Sequence, residues 1–331
     1  MKKGPNNTSI NELIVEKMAM LRQNGKFGTL HNYRGLLHFI EKHFGVLKAV
    51  DCNAAAVMRM KNLMSHLSTS TQASYLACLK SIWNYARYIG ATGKTDYPFQ
   101  KFAFEIDKVK VPRIQRRTES YLSIEDISKL YWHWFTIPED KKFNISRKKT
   151  LGLFLLSYLG NGANVNDLLR LTYNTDWFNS NGKILSFIRH KTAEKSPVKV
   201  KIPVTDYLRP VLDFLASEPQ RNEPVLGWFL RDVKIDDEEN ILKRVMYWNC
   251  YASKRVRYEC KILGIRYDVS MTFARHTYST TLHHLAAPFA LVEKNLGHTG
   301  DGIAFNYIGQ FSEQDLFKWN EMLITKKDLA N

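Results

Sequence analysis

The sequence predicts a mainly α-helical chain with a small β-sheet, in which a helical bundle precedes a larger mixed α/β domain. Apolar residues recur at helical spacing through roughly the first 100 residues and again after Pro203. Between residues 183 and 202, apolar and polar side chains alternate instead, as in a β-hairpin. A basic stretch that contains Pro112 separates the two helical regions, so the chain is predicted to form two bodies and a connection.

Residues 1–105 are predicted to form a bundle of four helices. The first begins at Ser9-Ile10-Asn11-Glu12, which has the form of a capping box. The second follows the glycines at 25 and 28 and ends at Gly45, where a glycine can adopt the left-handed conformation that closes a helix. Helical spacing then predicts a third helix over 54–67 and a fourth over 70–88.

Residues 106–120 are predicted to be a basic linker. Between Asp107 and Thr118 the basic residues are Lys108, Lys110, Arg113, Arg116 and Arg117, against the single acid Asp107. An extended, basic connection between two folded bodies is suited to contact a polyanion, and the alternative is an ordinary solvated linker.

Residues 121–331 are predicted to form the second domain. Ser123-Ile124-Glu125-Asp126 is a second capping signal, followed by helices over 124–135 and 148–158. Strands are expected over 183–188 and 198–202, and mainly helices after them. The last predicted helix lies within 311–329, with an apolar stripe on one side.

The charge of the chain indicates a nucleic-acid partner. Its 331 residues include 48 basic and 32 acidic side chains, which gives a net charge of +16. Displacement of counterions from phosphates drives the binding of such proteins to nucleic acid. No apolar run is long enough for a membrane span, so no membrane segment is expected. The four cysteines are not spaced as in metal sites, so no bound metal is expected. The predicted compartment is the cytoplasm.

An ordered set of residues in the last third predicts a phosphate site beside a nucleophile. Arg275-His276-Thr277 lies near the start of a predicted helix, Leu296-Gly297-His298 follows a helix end, and Tyr307 comes nine residues after His298. Each element alone is ordinary, because such residues usually have structural roles. The order and spacing are what point to chemistry on a phosphate.

This combination resembles the tyrosine recombinases, the phage integrase family. The family has Arg-His-Thr in one box, Leu-Gly-His in the next, a nucleophilic Tyr nine residues later, and a catalytic Lys in a β-hairpin, which matches Lys191 in Arg189-His190-Lys191-Thr192. The resemblance also implies a SAM-like core-binding bundle, a basic linker and a catalytic domain whose tail contacts the neighbouring protomer. Helices near 70–88 and 243–258 are expected to contact bases, and Arg189 is counted among the DNA-binding residues.

Two positions depart from the family pattern. Asn164 occupies the position of the first family arginine, and Thr272 occupies a position that is usually His or Lys. A branch found in mobile elements of the Bacteroidetes is similar at the first of these. Asn164 is therefore a possible substitute, and the neighbouring basic run at 147–149 is a further candidate to supply the missing charge.

The resemblance implies a mechanism without cofactors. Tyr307 would form a 3′-phosphotyrosyl link and release a 5′ hydroxyl, with neither ATP nor metal required. Arg275 and His298 would contact the phosphate, Lys191 would protonate the leaving oxygen, and His276 would act on the Tyr307 proton or support Arg275.

The expected substrate is double-stranded DNA with short inverted repeats, bound by a homo-tetramer on paired sites, with accessory DNA-bending proteins possible. Integration, excision and inversion all fit this description, and an invertase or resolvase is as compatible as an integrase. Two other functions remain open: a DNA-binding protein of the same fold that has lost its chemistry, and an enzyme like the type IB topoisomerases.

Overall fold

Two units make up the chain, Met1–Arg117 and Thr118–Asn331. The computed structural model describes residues 8–92, 97–99, 120–194, 197–298 and 311–326. Most of the predicted linker, with all five of its basic residues, lies outside the described residues. The mainly helical fold with one small sheet is confirmed.

The N-terminal unit is a bundle of four helices: α1 (Ile10–Gln23), α2 (Phe27–Phe44), α3 (Ala54–Leu63) and α4 (Thr69–Tyr88). The predicted capping box is present, because Ser9 Oγ accepts a hydrogen bond from Glu12 N and Glu12 Oε2 accepts one from Ser9 N, both at 3.1 Å. Gly45, at φ +66°, follows the end of α2 as predicted. The indole of Trp83 is buried between the helices and donates to Cys52 O at 2.8 Å, which ties α4 to the turn before α3.

The C-terminal unit is built around one buried helix. Its elements are α5 (Ile124–Thr136), α6 (Lys142–Leu159), α7 (Val165–Leu168), α8 (Thr175–Asn179), β1 (Ile184–Ile188), β2 (Lys199–Pro203), α9 (Leu208–Leu215), α10 (Gly227–Leu230), α11 (Glu238–Ile262), α12 (Met271–His284), α13 (Phe289–Asn295) and α14 (Glu313–Glu321). Helix α6 is buried from Thr150 to its end because α9, α11 and α12 pack around it. Its C-terminal end leads into the turn before α7, where the candidate site begins.

Strands β1 and β2 form the predicted antiparallel hairpin. Ile184 pairs with Pro203 and Ile188 with Lys199. Leu185 and Ile202 face the core, which fixes the register, because a slip by one residue would expose both. The connection between the strands begins with Arg189, and it carries Lys191.

The tail after the predicted nucleophile packs on its own unit over residues 311–326. Leu323 is buried, and its carbonyl accepts a hydrogen bond from Tyr158 Oη at 2.7 Å. Thr325 N donates to Ser128 Oγ at 3.0 Å, and its carbonyl accepts from Trp132 Nε1 at 3.2 Å. The docking of this tail on a neighbouring protomer stays a prediction about an assembly.

No helix in the described ranges is long and apolar enough to cross a membrane. Those ranges also hold no cluster of three or more His, Cys, Asp or Glu side chains arranged to bind a metal ion.

Candidate functional site

Arg275 is held near the start of α12 by main-chain carbonyl groups. Its Nη1 donates to Gly162 O at 3.1 Å, and its Nη2 donates to Leu296 O at 2.6 Å. Gly162 has φ +63°, and a Cβ there would lie 3.1 Å from Arg275 Cα. The turn after α6 therefore needs glycine, both for its backbone conformation and for the close approach of Arg275.

No carboxylate of the described residues lies within hydrogen-bond distance of the Arg275 guanidinium. Burial, and then the nearby positive charge of Arg189, lower the pKa of Arg275 to about 10. Asp167 and Glu293 act in the opposite direction from farther away. Arg275 thus stays protonated at neutral pH, and an anion would stabilise its charged form.

His298 lies beside Arg275, as the spacing of the two boxes predicts for a common site. Its Nε2 is 3.0 Å from Arg275 Nη2, and its Nδ1 is 2.9 Å from Glu293 Oε2. Gly297, at φ +65°, turns the chain at the end of α13, and His298 N then donates to Glu293 O at 3.0 Å. The contact with Glu293 was not predicted, although a Glu five residues before a His on a helix end is visible in the sequence.

Arg189 extends from the end of β1 over Gly297. A Cβ on Gly297 would lie 3.1 Å from Arg189 Cδ. Arg189 Nη1 is 3.4 Å from Gly297 O, and its Nε is buried with no hydrogen-bond partner in the described part of the chain. Its charge lowers the pKa of Arg275, so the two guanidinium groups share one region. Carbonyl groups accept hydrogen bonds from only some of the N–H groups of these two arginines. The remaining N–H groups could donate to an anionic ligand.

Asp167 on α7 fixes the main chain between Arg189 and Lys191. Its Oδ1 accepts a hydrogen bond from His190 N at 2.9 Å. Burial raises the pKa of Asp167, while the His190 N–H and the charges of Arg189 and Arg275 lower it, with a net increase. Lys191 follows directly and is exposed.

The side chain of His190 adds a second attachment of this loop. His190 Nε2 lies 3.4 Å from Glu238 Oε2 at the start of α11, and Glu238 also accepts from Arg170 Nη2 at 2.6 Å. The loop that carries Lys191 is therefore joined to both α7 and α11.

The two positions that depart from the family pattern supply no charge. Asn164 is the N-cap residue of α7, and its side chain makes no capping hydrogen bond. Thr272 is exposed, and its Oγ1 lies 2.8 Å from Ser270 Oγ. His276 is exposed on the following turn of α12.

The basic run at 147–149 does not serve this site. Arg147 Nε and Nη2 each donate to Glu259 at 2.8 Å, and Lys148 Nζ donates to Glu139 at 2.8 Å. Lys149 Nζ lies 3.7 Å from the centre of the Trp228 ring. All three lie in the N-terminal half of α6, whereas the site is at its C-terminal end. Tyr307 and the linker cations lie outside the described residues.

Comparison with solved structures supports the fold. The Tn1549 transposon integrase (aa 82-397) in complex with circular intermediate DNA matches with a TM-score of 0.58 and 14% identity, over 93% of this chain and 98% of that one. The XerH site-specific recombinase in a pre-cleavage complex with its difH substrate matches with a TM-score of 0.55 and 14% identity, over 88% of this chain and 79% of that one. Protein-family models and curated protein sequences give no match. The chain therefore has the fold of DNA integrases and site-specific recombinases.

Proposed function

We propose that this protein is a site-specific DNA recombinase that cuts and rejoins DNA through a 3′-phosphotyrosine link at Tyr307. The observation that carries the proposal is the convergence of Arg275 and His298 at 3.0 Å, next to the loop of Arg189 and Lys191. Cations held by neutral carbonyl groups suit a phosphate that enters and leaves. The similarity in fold to integrase and recombinase structures bound to DNA supports the same assignment.

The reaction needs a nucleophile, neutralisation of the phosphoryl oxygens and a proton for the departing oxygen. Tyr307 attacks phosphorus, and the bond from phosphorus to the 5′ oxygen breaks. Arg275 binds the non-bridging oxygens, and Lys191 protonates the leaving 5′ oxygen. Attack by a 5′ hydroxyl from another strand reverses these steps, so the energy of the broken bond is conserved without ATP or a metal ion.

Arg189 is proposed to replace the missing first arginine. Asn164 cannot neutralise a phosphoryl oxygen, and the basic run at 147–149 is engaged elsewhere. Arg189 reaches the same region from the hairpin, and its buried Nε lacks a partner among the described residues. A planar guanidinium group from a different element would then complete the pair.

This role of Arg189 predicts a large and specific loss of cleavage. Arg189→Ala should lower the rate of covalent adduct formation by about 100- to 1000-fold, the usual effect of removing one oxyanion donor. Arg221, which is exposed and packs on Phe178, gives a matched control, and Arg221→Ala should cleave like wild type. Equal rates for Arg189→Ala and wild type would remove Arg189 from the reaction.

The DNA partner and the assembly follow from the same proposal. The N-terminal unit and the catalytic unit would bind a half-site of a short inverted repeat, and four protomers would pair two sites. The linker cations would contact phosphates without reading sequence. Replacement of Arg116 and Arg117 by Ala should therefore flatten the salt dependence of binding by up to about two units of log–log slope, and an unchanged slope would exclude the linker from the interface.

Covalent capture tests the proposed activity directly. DNA that flanks the gene is searched for short inverted repeats and offered with a nick near the expected cleavage point, without metal. Wild type should give a protein–DNA adduct on a denaturing gel, and Tyr307→Phe should give none. Tyr267→Phe, at a residue that is 78% exposed, controls for the loss of a tyrosine hydroxyl elsewhere.

Each other outcome favours a different function. Specific retardation on a native gel without any adduct would indicate a DNA-binding protein that has lost its chemistry. Adduct formation and relaxation on plasmids that lack inverted repeats would indicate an activity of the topoisomerase type. An adduct that persists in Tyr307→Phe would assign the nucleophile to another residue.

A further inference from the structure

His298 has a partner on each ring nitrogen, and the two partners are chemically opposite. Its Nε2 is 3.0 Å from Arg275 Nη2, and its Nδ1 is 2.9 Å from Glu293 Oε2. A guanidinium group can only donate hydrogen bonds, and an ionised carboxylate can only accept them. The arrangement therefore requires an unprotonated Nε2 and a hydrogen on Nδ1.

Only one neutral tautomer of His298 satisfies both contacts. With the hydrogen on Nδ1, Glu293 accepts from the ring and Arg275 donates to it. With the hydrogen on Nε2, that N–H would face an N–H of Arg275, and the unprotonated Nδ1 would face the Glu293 carboxylate. Both hydrogen bonds would then be lost. Glu293 thus sets which nitrogen of His298 can take up a proton.

We propose that Glu293 is a positioning residue that holds His298 as a proton acceptor for the Tyr307 hydroxyl. This inference rests on the proposed recombinase activity and names the base of its first step. Phenols ionise near pH 10 in water, so attack at neutral pH requires a group that accepts the proton. A histidine oriented by a carboxylate is one solution to that requirement.

The proton transfer balances in both directions. The phosphate takes over hydrogen bonds of Arg275, which frees His298 Nε2. As the Tyr307 oxygen bonds to phosphorus, its proton moves to Nε2, and the imidazolium is stabilised by the Glu293 carboxylate. The bond to the 5′ oxygen breaks and that oxygen takes a proton from Lys191. In the rejoining step the same protons return to Lys191 and Tyr307.

The other polar side chains described for this site are less suited to this task. Asp167 is 5% exposed, and it is occupied by the His190 N–H. The guanidinium groups of Arg275 and Arg189 can only donate hydrogen bonds. Thr272, on the first turn of α12, has a neutral hydroxyl group, which cannot serve as a base for the Tyr307 proton. His276 is exposed and is the competing candidate, so the experiments below include it.

The first experiment measures the tautomer without DNA and does not depend on activity. Full-length protein labelled with 15N in histidine is studied at about pH 8, above the usual range of histidine titration, and His298→Asn assigns the His298 signals. Wild type should show a protonated Nδ1 and an unprotonated Nε2. Glu293→Ala should shift the ring toward the other tautomer. Glu313→Gln, which removes an exposed carboxylate paired with Lys201, should leave His298 unchanged.

A protonated Nε2 in neutral wild-type His298 would overturn the proposal and assign this histidine to hydrogen bonding with the phosphate. An unchanged tautomer in Glu293→Ala would also overturn it, because Glu293 would then not determine the proton position.

The second experiment locates the defect within the reaction. Glu293→Gln keeps an acceptor oxygen but loses the charge, and single-turnover cleavage should fall by about 10- to 100-fold, part of what a general base contributes. DNA binding should stay close to wild type. In a substrate with sulfur in place of the leaving 5′ oxygen, the leaving group needs no proton on departure. This substrate should restore the cleavage rate of Lys191→Ala, and cleavage by Glu293→Gln should stay slow.

Restoration of Glu293→Gln by the sulfur substrate would place Glu293 on the leaving-group side and overturn the proposal. A loss in His276→Ala that sulfur does not restore, with full activity in Glu293→Gln, would assign the base to His276. If wild type forms no adduct at all, the proposed function fails, while the NMR experiment still decides whether Glu293 sets the tautomer.

Discussion

Two arginine clusters in the C-terminal unit differ in what satisfies the guanidinium group. Arg147 donates twice to Glu259, which is fully buried and also lies 3.0 Å from His133 Nε2. The carboxylate raises the pKa of Arg147. Arg275 instead donates to two carbonyl groups and to His298, and burial lowers its pKa to about 10.

The comparison separates a structural ion pair from the arginine that we propose to bind a phosphate. The Arg147 cluster already contains its counter-charge, so a phosphate would have to displace Glu259. Among the described residues, the Arg275 guanidinium has only neutral hydrogen-bond partners, at a point where α12, the end of α13 and the turn after α6 meet. A partly buried cation whose hydrogen-bond partners are all neutral is incompletely stabilised in the empty fold, and a bound phosphate would reduce that cost.

Arg275→Ala should have the largest effect, and the effect should fall on chemistry. The rate of adduct formation should drop by about 1000-fold or more, because a guanidinium on a transferring phosphoryl group contributes at least that much. Quantitative gel assays on nicked DNA measure it. Arg209 also donates to a carbonyl, Gly182 O, but outside the site, so Arg209→Ala should cleave normally. Similar losses in both variants would contradict the comparison.

Glu259→Ala should lower the stability of the fold, with cleavage by the folded protein unaffected. It leaves Arg147 with an uncompensated charge and His133 without its hydrogen-bond partner in a buried cluster, so the free energy of unfolding should fall by about 3–5 kcal/mol. Urea unfolding followed by tryptophan fluorescence measures this loss. Adduct formation by the folded fraction at low temperature should match wild type, and a specific catalytic defect would show that the two clusters are coupled.

Gly162→Ala should displace the Gly162 carbonyl that accepts a hydrogen bond from Arg275, and so test how far cleavage depends on the position of this arginine. Its φ of +63° is strained for alanine, at about 1–3 kcal/mol, and the new Cβ would lie 3.2 Å from Arg275 Cγ. Gly264 has φ +66° but nothing within 4 Å of its added Cβ, so Gly264→Ala carries the strain alone. Both variants should lose stability in urea unfolding, and only Gly162→Ala should lose cleavage as well.

The smallest effect concerns acid pH. Burial raises the pKa of Glu259, but the hydrogen bonds with Arg147 and His133 lower it by more than burial raises it. The net shift of the Glu259 pKa is therefore downward. A carboxyl with a lower pKa in the folded state stabilises the fold above its unfolded pKa, near 4.3, and that stabilisation is lost as the pH falls below it. Urea midpoints between pH 7 and pH 3 should therefore fall less steeply in Glu259→Gln than in wild type.

The sequence predicted the elements whose signals are local. The Ser9 and Ser123 caps, the Gly45 helix stop and the alternation of the hairpin depend on neighbours a few residues away, and all are present. The meeting of Arg275 and His298 could also be predicted, because their spacing resembles a known pattern.

Contacts between distant segments could not be predicted from spacing. Arg189 was assigned to DNA binding in general, yet its side chain lies over Gly297, 108 residues away. The basic run at 147–149 was a candidate for the missing charge until its partners Glu139 and Glu259 were placed beside it. Which carboxylate meets which cation depends on helix packing, and no local pattern in the chain encodes it.

The carbonyl groups that hold Arg275 also bear on how often the site can be used. An arginine that leaves two neutral acceptors exchanges hydrogen bonds without separating an ion pair, and water can take the vacated positions. In the proposed reaction the same phosphate stays on Tyr307 until the strands are rejoined, so the guanidinium would release it only then and would accept the phosphate of another DNA site afterwards. The Gly162 and Leu296 carbonyls would serve as resting partners between these events, so that the empty site resets at little cost after every exchange.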